Sequence, residues 1–171
     1  MQGAGAVIVC ETDRLIIRHY NLDDANFIIQ LLNEEAFIRY IGDRQIHTIE
    51  AAQSYLSRII ASYQEYGFGL NMVTLKDGTP IGMCGILKRE ELENHDLGYA
   101  LLSAYWGHGY AEEAGSAVLA NGTIEHNLST ILAVTLPDNQ SSNQLLIKLG
   151  FELTGTQALY GEENNLYAYS S

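Results

Sequence analysis

Cysteine is scarce in this sequence: only Cys10 and Cys84 occur among 171 residues. The two form no Cys-x-x-Cys pair and no Cys/His spacing typical of zinc sites, which excludes a disulfide framework and gives no reason to expect a metal. Long hydrophobic runs are also missing, since none approaches the roughly 18 apolar residues that span a bilayer. The N-terminus lacks the basic stretch of a signal peptide. We therefore expect a cytoplasmic protein that does not bind membranes.

Basic residues are few as well. Nine Lys plus Arg stand against 21 Asp plus Glu, which leaves a formal net charge of -12. This charge repels the phosphates that supply most nucleic-acid affinity, so direct nucleic-acid binding is disfavoured. The same field would concentrate a cationic amine, but a surplus of acid also serves solubility, and the charge alone does not choose between these roles.

The overall composition indicates one folded domain. A hydrophobic content of 47% with 18% charged residues does not fit intrinsic disorder. A length of 171 residues matches the usual size of one domain. We place this domain at residues 12–171, after an N-terminal tail at residues 1–11.

Strand and helix patterns alternate along the domain. Asn21 and Thr48 are candidate N-caps for two helices, the second stopping at Gly67, and each has one apolar stripe at helical spacing. Asp77-Gly78 is a hairpin signal, and Gly150 is a left-handed stop for a later helix. The predicted strands cover residues 12–20, 69–75, 80–87, 96–102, 131–136, 151–159 and 164–170, and the predicted helices cover about 22–32, 48–67, 112–127 and 142–149.

The most informative pattern is Gly107-x-Gly109 between a strand and a helix. A helix N-terminus carries unpaired N–H groups and about half a positive charge, and glycine lets a phosphate approach these donors closely. An ordinary tight turn gives the same pattern. No Gly-Lys-Ser/Thr follows, which excludes a P-loop, and the third glycine of a dinucleotide-binding fingerprint is absent.

A second segment strengthens the interpretation as an anion site. It opens a helix after a buried strand with Asn139-x-x-Ser142 and closes with Lys148-x-Gly150-Phe151. Together with residues 105–114 (YWGHGYAEEA) and residues 12–18 (TDRLIIR), these motifs resemble the GCN5-related N-acetyltransferase (GNAT) family. The likeness is greatest to the branch that acetylates the N-terminal amines of ribosomal proteins, and it covers nearly the whole chain.

The resemblance implies an α/β fold whose mixed, mostly antiparallel sheet is splayed in the middle and flanked by about four helices. Acetyl-CoA, the co-substrate, would lie in the opening between the strands near residues 96–102 and 131–136. Backbone N–H groups from Gly107 to Ala111 would hold its diphosphate, which agrees with the helix-dipole argument. The implied cofactor-binding residues are Leu101, Leu102, Ser103, Gly107, His108, Gly109, Tyr110, Ala111, Asn139 and Ser142.

Acetyl transfer needs an uncharged amine, a polarised thioester carbonyl and a proton for the departing sulfur. By the resemblance, Asp96 is the candidate general base, although it is alternatively a surface residue at the start of a strand. The glutamates of the acidic segment 88–95 are rival bases, but a charge run is usually a solvated face. Ser142 is the candidate proton donor to sulfur, and serine is also common where a helix starts.

Two departures from the family pattern bear on these roles. The phosphate loop usually begins with Gln or Arg, where this chain has Ala104, so one side-chain contact is absent. Many relatives carry a tyrosine acid two residues before the lysine of Lys-x-Gly-Phe, where this chain has Leu146. Another residue must then protonate the sulfur, and a strand amide near Leu101 or Leu102 would meet the oxyanion.

Other side chains have simpler explanations. Those of Trp106, His108 and Tyr110 are expected to face solvent or to pack the loop. Cys84, in an apolar strand, is expected to be a buried thiol rather than a nucleophile. Most of the 11 tyrosines must be structural or surface residues, but four of them are candidates to line an acceptor pocket: Tyr40, Tyr99, Tyr160 and Tyr167.

We therefore predict an N-acetyltransferase that moves an acetyl group from acetyl-CoA directly to a primary amine, either a protein N-terminus or a small cationic molecule. A catalytically inactive acyl-CoA-binding regulatory module is the alternative, and a nucleotide-phosphate-binding protein is a third interpretation. Acceptor specificity would reside in the residues before Thr12 and in loops 41–47 and 88–95. The chain is expected to be a monomer or a homodimer.

Overall fold

The computed structural model of the protein describes residues 7–171. In this part of the chain, eight strands form one sheet: β1 Ile8–Glu11, β2 Leu15–His19, β3 Leu70–Leu75, β4 Pro80–Leu87, β5 Asp96–Leu101, β6 Thr130–Thr135, β7 Glu152–Leu159 and β8 Glu162–Ser170. Their spatial order is β1-β2-β3-β4-β5-β6-β8-β7. Neighbouring strands are antiparallel except β5 and β6, which are parallel. The sheet is therefore mixed and mostly antiparallel, as predicted.

Five α-helices accompany the sheet within the same residues: α1 Ala25–Leu32, α2 Glu35–Tyr40, α3 Ile49–Tyr66, α4 Tyr110–Glu125 and α5 Gln140–Leu149. Thr48 caps α3 by accepting from the Ala51 N–H at 3.1 Å, and Gly67 follows it with a φ of 83°. Asn139 caps α5, and Gly150 follows that helix with a φ of 101°. The predicted cap at Thr48 and the predicted stops at Gly67 and Gly150 are confirmed, whereas the cap at Asn139 is a finding of the structure. None of the described helices is both long and apolar enough to cross a membrane.

The helices bury the two faces of the sheet in two separate clusters. Val118 of α4 packs in one cluster with Val73 of β3. Leu56 of α3 packs in the other with Met72 of the same strand. Neighbouring residues of a strand point to opposite faces, which is why Met72 and Val73 enter different clusters. The apolar stripes predicted for the first two helices, α1 and α3, both pack in the second cluster, whereas α4 covers the other face of the sheet.

The sheet opens between β5 and β6. Their ladder contains one residue pair, Asp96 with Leu132, and the Leu132 N–H donates to the His95 carbonyl at 2.8 Å. Beyond this pair β5 stays with β4 as far as Leu101, whereas β6 stays with β8. The two strands therefore separate toward their carboxyl ends, and the splayed sheet implied by the resemblance is confirmed.

Two elements differ from the expectation. Residues 8–11, placed in the N-terminal tail from the sequence, form β1, in which Cys10 pairs with Ile17 of β2. Four residues are too few to show the alternation of apolar and polar side chains that is typical of a strand, so this strand is recognised only by its pairing with β2 at the edge of the sheet. The short helix α2 brings the helices to five rather than about four, and its single buried residue, Phe37, leaves little pattern to detect. Residues 1–6 of the expected tail lie outside the described residues.

Candidate active site

A cleft of about 1010 Å³ lies where the sheet opens. Residues of α2, α3, β5, α5 and the turn before α4 line it, so the cleft brings together the glycine turn and the Asn139–Ser142 segment. Tyr40, Tyr99 and Tyr160 are among the lining residues. Tyr167 is not, because it is buried and its hydroxyl donates to Asn143 Oδ1 at 2.9 Å.

The glycine turn contributes one part of the cleft wall. Gly107 and Gly109 have φ values of 80° and 81°, a left-handed conformation that favours glycine. Gly109 is the N-cap of α4 and supplies no side-chain cap, so the first N–H groups of the helix are left for a ligand or water. A Cβ on Gly107 would have no protein atom within 4 Å. Open N–H groups at a positive dipole end are what an oxyanion requires.

Arg14 fixes this turn from a distant part of the sequence. Its Nη1 donates to the His108 carbonyl at 2.8 Å, and its Nε donates to Glu113 Oε1 at 2.8 Å. Its guanidinium carbon lies 4.4 Å from the centre of the Tyr110 ring. Burial alone would raise the pKa of Glu113, but the hydrogen bonds from Thr12 and Arg14 lower it. No local pattern in the sequence indicates this clamp, because its members lie far apart along the chain.

Strand alternation decides which backbone groups of β5 face the gap. The Leu102 N–H donates to the Ile81 carbonyl at 2.9 Å, on the β4 side. Leu101 and Tyr99 therefore direct their backbone groups the other way, toward the gap. The Leu101 carbonyl accepts from the indole N–H of Trp106 at 3.1 Å. An amide for the oxyanion is thus available at Leu101 and Tyr99, whereas the expectation for Leu102 is wrong because its N–H is bonded within the sheet.

The predicted cofactor contacts divide into two groups. Leu102, Ser103 and His108 do not line the cleft. Leu102 packs in the core cluster beneath α1 and α3, and the Ser103 N–H donates to Glu34 Oε1 at 2.7 Å. The His108 ring lies 5.7 Å from the ring of Tyr110. The rest line the cleft, namely Leu101, Gly107, Gly109, Tyr110, Ala111, Asn139 and Ser142.

Ser142 has a hydroxyl partner on the opposite side of the gap. The Tyr99 hydroxyl of β5 donates to Ser142 Oγ at 3.0 Å. Burial raises the pKa of Tyr99 to about 12, so this hydroxyl keeps its proton at neutral pH. Since Ser142 Oγ accepts from Tyr99, its own proton is left to donate elsewhere. Asn139 Oδ1 accepts from the Ser142 N–H at 3.4 Å, which leaves the Asn139 side-chain nitrogen for another partner.

Asp96 lies at the start of β5, behind the cleft wall. Its side chain is fully buried, and Arg89 binds both oxygens, with Nε 3.2 Å from Oδ1 and Nη2 2.9 Å from Oδ2. Burial raises the pKa of Asp96, and the charge of Arg89 acts against this. Arg89 itself lines the cleft. An exposed position, the other interpretation of Asp96 from the sequence, is therefore wrong.

The rival candidates for the general base lie outside the cleft, because the glutamates of segment 88–95 do not line it. Glu34, which is not among the candidates from the sequence, does line it. Cys84 is buried, and burial raises the pKa of its thiol, so the predicted buried thiol is confirmed. Within residues 7–171, no three His, Cys, Asp or Glu side chains are grouped so that they could hold a metal ion.

The opened sheet and the glycine turn together define a protein of the acetyltransferase class. Residues 14–152 match the family model of the acetyltransferase (GNAT) domain, and the chain belongs to this family. It is 33% identical over 161 residues to the uncharacterized N-acetyltransferase YoaA of Bacillus subtilis, and this match covers 91% of this chain and 89% of YoaA.

Solved structures agree on the fold. The ribosomal-protein-S5-alanine acetyltransferase from Vibrio fischeri superposes with a TM-score of 0.80 at 21% identity, covering 94% of this chain and 95% of that chain. RimL, a ribosomal L7/L12 α-N-protein acetyltransferase solved in complex with coenzyme A, gives 0.82 at 18% identity, covering 95% and 97%. At these identities the likeness establishes the fold, and the predicted fold class is confirmed.

Proposed function

We propose that this GNAT protein transfers the acetyl group of acetyl-CoA directly to a primary amine, without a covalent enzyme intermediate. One observation carries the proposal: the glycine turn and the Tyr99–Ser142 hydroxyl pair line the same cleft between β5 and β6. The turn offers a diphosphate site, and the pair offers a proton beside the exposed edge of a strand. RimL, a protein of the same fold, has been solved with coenzyme A.

The residues present fit acetyl-CoA as the co-substrate. The N–H groups of residues 107–111 would bind the diphosphate, because no side chain fills the space beside Gly107. The edge of β5 at Tyr99 and Leu101 would pair with the amides of the pantetheine arm like an added strand. The Asn139 side-chain nitrogen would donate to the same arm, since the oxygen of that side chain caps α5.

The transfer itself needs one C–N bond to form and one C–S bond to break. The amine nitrogen attacks the thioester carbonyl, and a backbone N–H of Leu101 or Tyr99 would stabilise the oxyanion that develops. Ser142 then donates its proton to the departing thiolate while the Tyr99 hydroxyl donates to Ser142 Oγ, and the proton that water takes from the amine restores the Ser142 hydroxyl. A thiolate is a good leaving group, so a weak acid is sufficient for this step.

The amine must also lose a proton, and the group that takes this proton is the general base. The general-base role of Asp96 stays a prediction, and its carboxylate would reach the cleft only if Arg89 released it. We infer that Asp96 acts as a positioning residue, because its ion pair holds the guanidinium of Arg89 at the cleft wall. In this mechanism a water molecule takes the proton from the amine.

The acceptor is a primary amine of a peptide N-terminus or of a small molecule. The cytoplasmic location and the monomeric or homodimeric state also stay predictions.

The test is an acetylation assay with mass detection. Purified protein is incubated with acetyl-CoA and a panel of N-terminal peptides and small amines. A gain of one acetyl group on an amine, matched by an equal release of coenzyme A thiol, supports the proposal. Calorimetric binding of acetyl-CoA without transfer to any amine would favour the alternative, an acyl-CoA-binding regulatory module.

A further inference from the structure

The cleft has the opposite charge balance to the protein. The chain carries nine Lys and Arg residues against 21 acids. Five of those nine cations line the cleft, but only three of the 21 acids do. The five are Arg44, Arg58, Lys88, Arg89 and Lys148; the three are Glu34, Glu112 and Asp138. Basic side chains are therefore concentrated at the cleft, which is the proposed site for acetyl-CoA and the acceptor.

Three arginines line the same cleft as Tyr55 of α3: Arg44, Arg58 and Arg89. The guanidinium carbon of Arg58 lies 5.7 Å from the centre of the Tyr55 ring. Burial raises the pKa of the Tyr55 hydroxyl, and the charges of the three arginines act against this rise. Tyr55 and the three arginines all line the cleft. We call these four residues the arginine pocket.

Two of these arginines have no acidic partner. Arg89 is paired with Asp96. Among residues 7–171, neither Arg44 nor Arg58 has a carboxylate oxygen within 4.0 Å, although the chain has more than twice as many acids as bases. The acids that line the cleft do not neutralise them: Glu34 accepts from the Ser103 N–H, and Asp138 lies 3.4 Å from Arg39.

The donor's diphosphate does not account for the pocket. The guanidinium of Arg89 pairs with Asp96 at the start of β5, whereas the glycine turn follows the end of that strand. The six residues of β5 separate these two sites by about 17 Å, at roughly 3.3 Å per residue. Arg89, one member of the pocket, therefore lies toward the opposite end of the strand from the site for the diphosphate of acetyl-CoA, where an acceptor would approach.

We propose that the acceptor is an amine that also carries an oxyanion, a carboxylate or a phosphate, and that Arg44 and Arg58 bind this group beside Tyr55. The guanidinium fork matches the geometry of either oxyanion. The inference rests on the proposed function and names its substrate class. The net charge of the protein, taken alone, would favour a cationic amine. We expect the two arginines to decide the preference instead, because charges close to a bound ligand act more strongly than screened charges elsewhere on the surface.

Matched acceptors test the pocket. A tripeptide is compared as its free acid and its C-terminal amide, and phosphoethanolamine is compared with ethanolamine, so that each pair isolates one oxyanion. We expect kcat/KM to be at least about tenfold higher for the anionic member of the preferred pair. Which pair shows the preference distinguishes a carboxylate from a phosphate. Equal values in both pairs would overturn the inference.

The double variant Arg44→Gln/Arg58→Gln identifies the residues responsible. It should reduce the preference to less than about threefold while KM for acetyl-CoA stays unchanged. Lys76→Gln is the control, because it removes positive charge from the β3–β4 turn, outside the cleft. If Lys76→Gln reduced the preference as much as the double variant, the effect would belong to the net charge and the pocket would be refuted.

Calorimetry separates this inference from the proposed function. Each acceptor is titrated into the complex of the protein with coenzyme A, which cannot transfer an acetyl group. Tighter binding of the anionic member, lost in the double variant, supports the pocket even if no acetylated product is ever found; in that case only the proposed function fails. Equal acetylation and equal binding of both members would refute the pocket and leave the acetyltransferase activity standing.

Discussion

Replacement of Gly107 by alanine perturbs the diphosphate site at one defined point. The φ of 80° at Gly107 is left-handed, and an L side chain there costs about 1–2 kcal/mol. No protein atom would lie within 4 Å of the new Cβ, so this backbone cost is the main effect on stability. For a protein of this size, the change corresponds to a Tm lowered by about 2–8 °C.

The effect on acetyl-CoA binding should be larger than this strain alone implies. Relaxation of the turn moves the N–H groups that the diphosphate requires, and each hydrogen bond to a charged group contributes about 1.5–3 kcal/mol. Loss of one such bond weakens binding by about 10- to 150-fold. The dissociation constant for acetyl-CoA is measured by calorimetry, and Tm by differential scanning calorimetry.

Gly78→Ala is the matched control. Gly78 has a φ of 92°, has no atom within 4 Å of a built Cβ and lies in the β3–β4 hairpin outside the cleft. Both variants should lose similar stability, but only Gly107→Ala should lose affinity for acetyl-CoA. An unchanged dissociation constant in Gly107→Ala, with the same fall in Tm as in Gly78→Ala, would refute the assignment of the turn to the diphosphate.

Three further predictions follow from the geometry. Tyr99→Phe should lower kcat about 3- to 30-fold while the dissociation constant for acetyl-CoA stays unchanged, because the variant loses a hydrogen bond to Ser142 and no donor contact; an unchanged kcat would contradict this. Asp96→Asn should keep the acidic limb of the pH profile of kcat/KM, since Arg89 covers the carboxylate; disappearance of the limb would make Asp96 the base. Gly85→Ala should lower the free energy of unfolding in urea by about 3 kcal/mol, because its Cβ would lie 2.1 Å from the Gly69 carbonyl oxygen; a stability equal to that of the parent would refute the close approach.

Much of the fold could be predicted from local patterns in the sequence. The turn at Asp77-Gly78, the cap at Thr48 and the left-handed stops at Gly67 and Gly150 are properties of a few neighbouring residues, and all occur where the sequence indicates. The short edge strand β1 has no such local signal. Its pairing with β2 depends on the rest of the sheet, so periodicity could not reveal it.

The candidate site was predictable only in part, for the same reason. The glycine turn is a local motif, and it lies between β5 and α4 as the sequence indicates. The clamp by Arg14 and the contact of Tyr99 with Ser142 join residues that lie far apart along the chain, and strand register decides which of them meet. Arg89 lies within an acidic segment that resembles a solvated loop, yet its ion pair with the buried Asp96 brings it to the cleft wall.

A crystal structure of the protein with coenzyme A would show directly where the cofactor binds. We expect the diphosphate to contact the N–H groups of residues 107–111, the arm to run along Leu101 and Tyr99, and the sulfur to lie within hydrogen-bonding distance of Ser142 Oγ. A diphosphate bound away from the turn, or a sulfur remote from the Tyr99–Ser142 pair, would contradict the assignment of this cleft to acetyl-CoA.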